Sequence, residues 1–291
     1  MANAHAHYYV PEPSRWPILA TISIFVMFYG GALLLNHHAS GPMTLGAGFL
    51  GLVIVLFGWF GDVIRESEGG RYGNWEDVSF RMGMMWFIFS EVMFFAAFFG
   101  ALFYSRVLSV EWLSGAGAKA ATHQFLWPQF LADWPLLKLP QDYGFQIAKD
   151  VVPAWGVPAV NTAILLTSGA TVTWAHWGLK ANKRGHLILG LALTVALGAF
   201  FVYLQAEEYH HAYTELGLTL NSGIYGATFF LLTGFHGFHV TMGTIMLAVI
   251  LFRSMKGHFK PEHHFAFEAV AWYWHFVDVV WIGLFIFVYW I

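Results

Sequence analysis

Seven stretches of almost unbroken apolar sequence, near residues 16–36, 43–66, 79–107, 158–179, 186–208, 222–253 and 265–290, constrain this chain more than any other feature. A run of 18 or more apolar residues is long enough to cross the hydrocarbon of a bilayer as an α-helix. Inside hydrocarbon no water can bond a backbone N–H or C=O, so each run must close its own ladder. Composition agrees with that reading. Charged residues are 11% and hydrophobic residues 58% of 291, whereas ordinary globular proteins carry roughly 25% charged residues. A water-soluble body could not cover itself with so few charges. The expected fold is an all-α integral membrane protein, one membrane domain over 1–291 with seven transmembrane helices. The third and sixth runs exceed the roughly 20 residues needed to cross, so they should tilt or project into water. Pro17 and Pro158 stand at first helical turns, where a missing N–H costs little.

Several chemistries are excluded on the same grounds. A net charge of −3 without a basic cluster gives nucleic acid no positive face to bind. No Cys is present, which removes disulfides, Cys-ligated zinc, iron–sulfur clusters and thiolate copper. No Lys or Arg precedes Arg15, and no small-residue cleavage site follows the first apolar run. The first span is therefore expected to act as its own insertion signal.

Lys and Arg set the expected orientation. One face would carry Arg15, Arg65, Arg71, Arg81, Lys180, Lys183, Arg184, Arg253, Lys256 and Lys260, ten of the fourteen basic residues. The other four, Arg106, Lys119, Lys138 and Lys149, lie in or beside one long loop. The amino terminus is thus expected inside and the carboxyl terminus outside. That outer loop, 108–157, contains Gly, Pro and scattered Trp with no trustworthy period. It reads as an irregular cap over helix ends or as a docking surface. Small residues recur every four positions at Gly190, Thr194 and Gly198, and at Ala96 and Gly100 or Ala97 and Ala101, a spacing that lets backbones approach closely in lipid.

Polar residues within the spans need explaining, because a charge at the bilayer centre costs roughly 2.5–3.5 kcal/mol on insertion scales. Glu91 is flanked at helical spacing by Phe87, Ile88, Phe94 and Phe95. It reads as a proton-relay or lipid-contact carboxyl, or as a side chain bonded to a neighbouring helix. His236 and His239 in the sixth span, and His275 and Asp278 in the seventh, are spaced three apart and so share helix faces. An interhelical hydrogen-bond cluster is the favoured reading, and no metal is assigned to them. At one end of the second span stand Asp62, Arg65 and Glu66, with Trp59 one turn earlier; Arg253 and His258 end the sixth. Such groups suit a phospholipid head group or a solvated ion network. His5 and His7 could buffer protons at the inner surface. The adjacent pairs His37-His38, His210-His211 and His263-His264 are loop or helix-end residues, weak evidence of ligation because consecutive residues diverge on a helix.

The motifs, taken together, resemble subunit III of cytochrome c oxidase. They are Trp16-Pro17, DVIRE at Asp62–Glu66, SEVMFF from Ser90, TWAH from Thr173, GFHGFHV from Gly234 and HHFAFEAVAWYWHFVDVVW from His263. The resemblance implies seven tilted helices grouped two and five around a V-shaped, phospholipid-filled cleft. It implies a subunit with no haem or copper of its own, those cofactors belonging to partner subunits I and II. Its role would be to stabilise subunit I and support proton uptake, with respiratory supercomplexes as a further partner relation. Glu91 would be the buried cleft carboxyl, and Glu66, Arg253 and His258 would hold lipid beside Arg65 and Trp59. The second-to-third loop lacks the His pair of mitochondrial relatives and the outer loop is longer, which points to a bacterial plasma membrane, amino terminus cytoplasmic and carboxyl terminus periplasmic. A proton-coupled transporter using Glu91 and the His/Asp residues is the alternative, although no internal repeat supports it. A retinal protein is excluded, since the last span contains no Lys.

Overall fold

The α-helix accounts for nearly all regular structure in the computed structural model, which describes residues 12–139, 144 and 146–291. Seven helices have twenty residues or more: α1 (Trp16–Leu35), α2 (Gly41–Glu68), α3 (Asn74–Phe103), α4 (Val157–Lys180), α5 (Arg184–Thr214), α6 (Gly223–Lys256) and α7 (Phe265–Leu284). No strand occurs among the described residues, only an isolated bridge between Lys260 and His263. Six of the seven helices are long and apolar enough to cross a membrane, α4 being the one left out. It has the length, but Asn161, Thr162, Thr167, Ser168, Thr171 and Thr173 dilute its hydropathy.

Proline opens three helices in its first turn, α1, α2 and α4, where its fixed φ suits the helix and no bond is lost. Gly257 ends α6 with φ +79°, the left-handed cap that glycine adopts without a Cβ penalty. Helices α3 and α7 both run on through π-helical turns, Tyr104–Ser109 and Phe285–Trp290. The loop between α3 and α4 is less irregular than its sequence suggests. It contains short helices at Val110–Leu113 and Ala120–Leu126 and a 3-10 turn at Gly117–Lys119.

The chain divides into two compact units, with the boundary inside α3 between Phe80 and Arg81. In the first unit α1 packs along α2. A Cβ on Gly30 would fall on the backbone of Leu45, and one on Gly48 would fall on that of Met27. These two glycines let the backbones touch, which is how dispersion replaces the missing hydrophobic drive between helices in lipid. Trp16 Nε1 donates to Asp62 (2.5 Å), and Arg65 also reaches that carboxylate.

In the second unit the apolar core includes Trp274, Trp281, Phe201, Phe229, Phe267 and Leu165. The α7 indoles tie this helix to α4. Trp274 Nε1 donates to Ser168 Oγ and Trp281 Nε1 to Thr162 Oγ1, each at 2.9 Å. The pairs descend α7 while they ascend toward the α4 amino terminus, so the helices run antiparallel. Thr171 and Thr194 hydroxyls meet at 2.8 Å between α4 and α5. A Cβ on Gly190 would stand 2.8 Å from that of Ala175, so the stripe of small residues on α5 is a packing seam. On α3 the corresponding residues meet no neighbour among the described residues of this chain: Ala96, Ala97 and Ala101 are exposed, and a Cβ on Gly100 would meet nothing within 4 Å.

Replacing Gly48 with Leu should therefore overpack the α1–α2 seam, at a cost of about 1–3 kcal/mol, seen as a lower thermal-unfolding midpoint in detergent. Gly46→Leu is the matched control, since a Cβ there meets nothing within 4 Å and the midpoint should hold.

Candidate functional site

Helix α3 carries Glu91 on a face lined by Phe94 and Phe95, and α6 brings His239 to meet it. The Nε2 of His239 lies 2.9 Å from Glu91 Oε2, with 8% and 21% of the two side chains exposed. The other ring nitrogen, Nδ1, donates to the Phe235 carbonyl at 2.6 Å. One proton must then serve the contact between Nε2 and the carboxyl, since two bare lone pairs would repel. With that proton on either atom the pair has zero net charge, which makes a carboxyl tolerable among hydrocarbon. Aromatic rings surround the imidazole: Phe95 at 5.0 Å and, stacked, Tyr273 at 6.2 Å between centroids.

The remaining intramembrane histidines go to different partners. His236 is fully enclosed and sits 3.2 Å from the Val277 carbonyl, joining α6 to α7. The Nδ1 of His275 lies 3.4 Å from Asp278 Oδ2, and its Nε2 is 3.3 Å from Thr173 Oγ1 on α4. Gly169 makes room for that carboxylate, because a Cβ there would stand 2.5 Å from Asp278 Oδ2. The structure thus places His236, His239 and the His275–Asp278 pair in three separate contacts.

The residues considered for lipid lie in both units. In the first, Trp59 is 38% exposed, Arg65 reaches Asp62, and Tyr72 donates its hydroxyl to Glu66 Oε2 at 2.6 Å. In the second, the Arg253 guanidinium lies 4.7 Å from the centroid of Phe259, a cation–π distance. The backbone N–H of His258 donates to the Arg253 carbonyl at 3.2 Å, closing the turn at Gly257. His5 and His7 fall outside the described residues.

Two buried carboxyls, Glu208 and Glu268, do not stand out in the sequence. Glu208 on α5 is 3% exposed and accepts from Tyr289 Oη at 2.6 Å and from Gln205 Nε2 at 2.9 Å. Its i, i+3 spacing from Gln205 was the available signal. It was masked by the polar run that follows, Tyr209, His210 and His211, which reads as a helix leaving the membrane.

A sequence model of the family described as cytochrome c oxidase subunit III matches residues 5–121 and 134–291. The chain is 43% identical to cytochrome c oxidase subunit 3 of Prototheca wickerhamii over 283 residues, covering 97% of this chain and 96% of the relative. Identity to the subunit 3 of Sus scrofa is 39% over 289 residues, covering 99% and 98%. That of Cyprinus carpio is 41% identical over the same length and coverage. The chain belongs to the cytochrome c oxidase subunit III family. It is a multi-pass membrane subunit of that oxidase complex, and this family fits a chain without haem or copper of its own. Subunit III membership also disfavours the transporter reading.

The Glu91–His239 pair makes a direct prediction. His239→Ala should strip the carboxyl of its partner and cost about 1–3 kcal/mol, lowering the unfolding midpoint of the purified assembly. Glu91→Gln keeps a hydrogen-bonding amide at Nε2 and should cost less. Equal losses in the two variants would mean that the contact is not formed.

Proposed function

We propose that this chain is a non-catalytic core subunit of a proton-pumping cytochrome c oxidase, packed against subunit I and working through bound phospholipid. In this reading subunits I and II hold the haem and copper, and this chain stabilises subunit I and sustains its proton uptake. The observation that carries the reading is full-length membership of the subunit III family. Burial supports it: only 6% of the apolar stretch of α1 and 11% of each of those of α2 and α3 is enclosed by the chain itself, against 50% for α7. Apolar helix faces of that extent ask for lipid or partner subunits.

The finer architecture follows the same reading. Helix α4 is the seventh crossing; its 24 residues reach about 36 Å at 1.5 Å each, enough for the hydrocarbon. Helices α1 and α2 form the pair of a two-plus-five grouping around a phospholipid-filled cleft, as the resemblance to subunit III implies. Trp59, Arg65 and Glu66 in the first unit, and Arg253 and His258 in the second, hold phospholipid head groups. Glu91 is the cleft carboxyl, and His5 and His7 serve as a proton antenna. The excess of Lys and Arg on one face supports an amino terminus in the cytoplasm and a carboxyl terminus in the periplasm. The long outer loop supports a bacterial plasma membrane.

Purification through a tag on this chain should bring down a haem–copper subunit, while the chain alone should lack visible haem absorbance. Stoichiometric haem on the isolated chain would overturn the assignment. Arg253→Gln should release phospholipid from the assembly in native mass spectrometry and leave electron transfer running. Glu91→Gln should preserve assembly and shorten the turnover-dependent lifetime of the oxidase; an unchanged lifetime would make Glu91 a packing residue only.

A further inference from the structure

The carboxyl end of α4, the turn before α7 and the first turn of α7 converge three ligand-type side chains that the proposed function does not use: His176, His264 and Glu268. His264 Nε2 lies 3.2 Å from Glu268 Oε1 and 3.3 Å from His176 Nε2, and His176 Nε2 lies 3.6 Å from Glu268 Oε1. Two histidine nitrogens and one carboxylate oxygen therefore form a nearly equilateral triangle. Tetrahedral zinc holds such atoms at about 2.0–2.2 Å, which sets them roughly 3.3–3.5 Å apart. The observed edges bracket that separation.

Proton accounting sharpens the point. His264 Nδ1 is 3.1 Å from the Lys260 carbonyl, a contact that requires the ring to donate there. In the neutral ring Nε2 is then a bare lone pair, facing a carboxylate oxygen and a second imidazole nitrogen. Glu268 Oε1 and His264 Nε2 are thus two acceptors 3.2 Å apart, and either a metal ion or a proton donated by His176 Nε2 must stand between them. The other carboxylate oxygen, Glu268 Oε2, is already taken by Arg81, which leaves Oε1 as a single-point ligand and anchors it from behind. Phe267 packs on the His176 ring at 5.2 Å between centroids. The His176 side chain is 20% exposed, so water has access to a fourth position. The opposing charges nearby are Arg81 and, one turn beyond His176, Lys180.

We propose that His176, His264 and Glu268 bind a divalent transition-metal ion of the zinc class, with water as fourth ligand. Two imidazoles with one carboxylate suit zinc better than magnesium or calcium, which prefer all-oxygen shells. The site is independent of the phospholipid reading, because it uses none of the residues assigned to head groups.

The test uses the intact oxidase assembly, stripped with a chelator and then given Zn2+ alone. An anomalous difference map at the zinc edge should place a peak about 2.0–2.2 Å from all three ligand atoms. Radioactive-zinc binding should weaken at least about 10-fold in His264→Asn and again in His176→Asn. The proposal fails if millimolar zinc leaves no peak at the triad, as it would if a shared proton is the only cation there. It also fails if both variants bind zinc unchanged. Should neither variant assemble, the map of the unaltered complex decides alone.

Discussion

The structure depends on a single constraint: within the apolar slab a polar group has no water to turn to, so it must find its partner on the chain. Helix formation meets that demand for the backbone. Most Ser and Thr hydroxyls return to a carbonyl three or four residues back on their own helix, as Thr167 does to Ala163; other partners come from neighbouring helices. Trp274 with Ser168, Trp281 with Thr162, Thr171 with Thr194, Tyr209 with Thr233 and His239 with Glu91 are all contacts of this kind. Interhelical hydrogen bonds in membranes average only about 0.6 kcal/mol. Their value here is register rather than strength, since sliding α7 by one turn against α4 would orphan both indoles at once.

Close packing supplies the affinity that those bonds do not. The two units solve this in different ways. In the first, glycine brings the α1 and α2 backbones together, with one polar lock where Trp16 meets Asp62. In the second, large aromatic side chains fill the core, and small residues open only where a neighbour needs the room. Gly169 yields to the Asp278 carboxylate, and Gly243 yields to the Trp274 ring. The first arrangement leaves most of both helices uncovered by the chain itself.

For a chain that carries acids into a membrane, the way those groups are held matters as much as their number. Glu91 is matched by an imidazole, and Glu208 by a phenol and an amide. Glu268 is matched by a guanidinium and two imidazoles. Each carboxyl is held in a defined local environment by groups from the same chain.

The long apolar runs alone placed the helices, from Trp16–Leu35 to Phe265–Leu284, because hydrocarbon thickness and backbone hydrogen bonding leave a greasy segment no alternative. The α5 stripe was equally legible, since small residues at fourfold spacing have a direct steric meaning. Glu91 stood out among phenylalanines, yet its partner lies 148 residues away, and nothing local to either residue encodes that meeting. His236 and His239 share a spacing that suggested one cluster, but α6 is packed on two sides, so one ring turns to α7 and the other to α3. Arg81, His176 and the His264–Glu268 pair come from three separate points of the chain. Sequence determines which segments enter the membrane and which residues need partners there; the packing of helices distant along the chain decides who the partners are, because hydrogen bonds are directional and side-chain spacing on one helix says nothing about its neighbour.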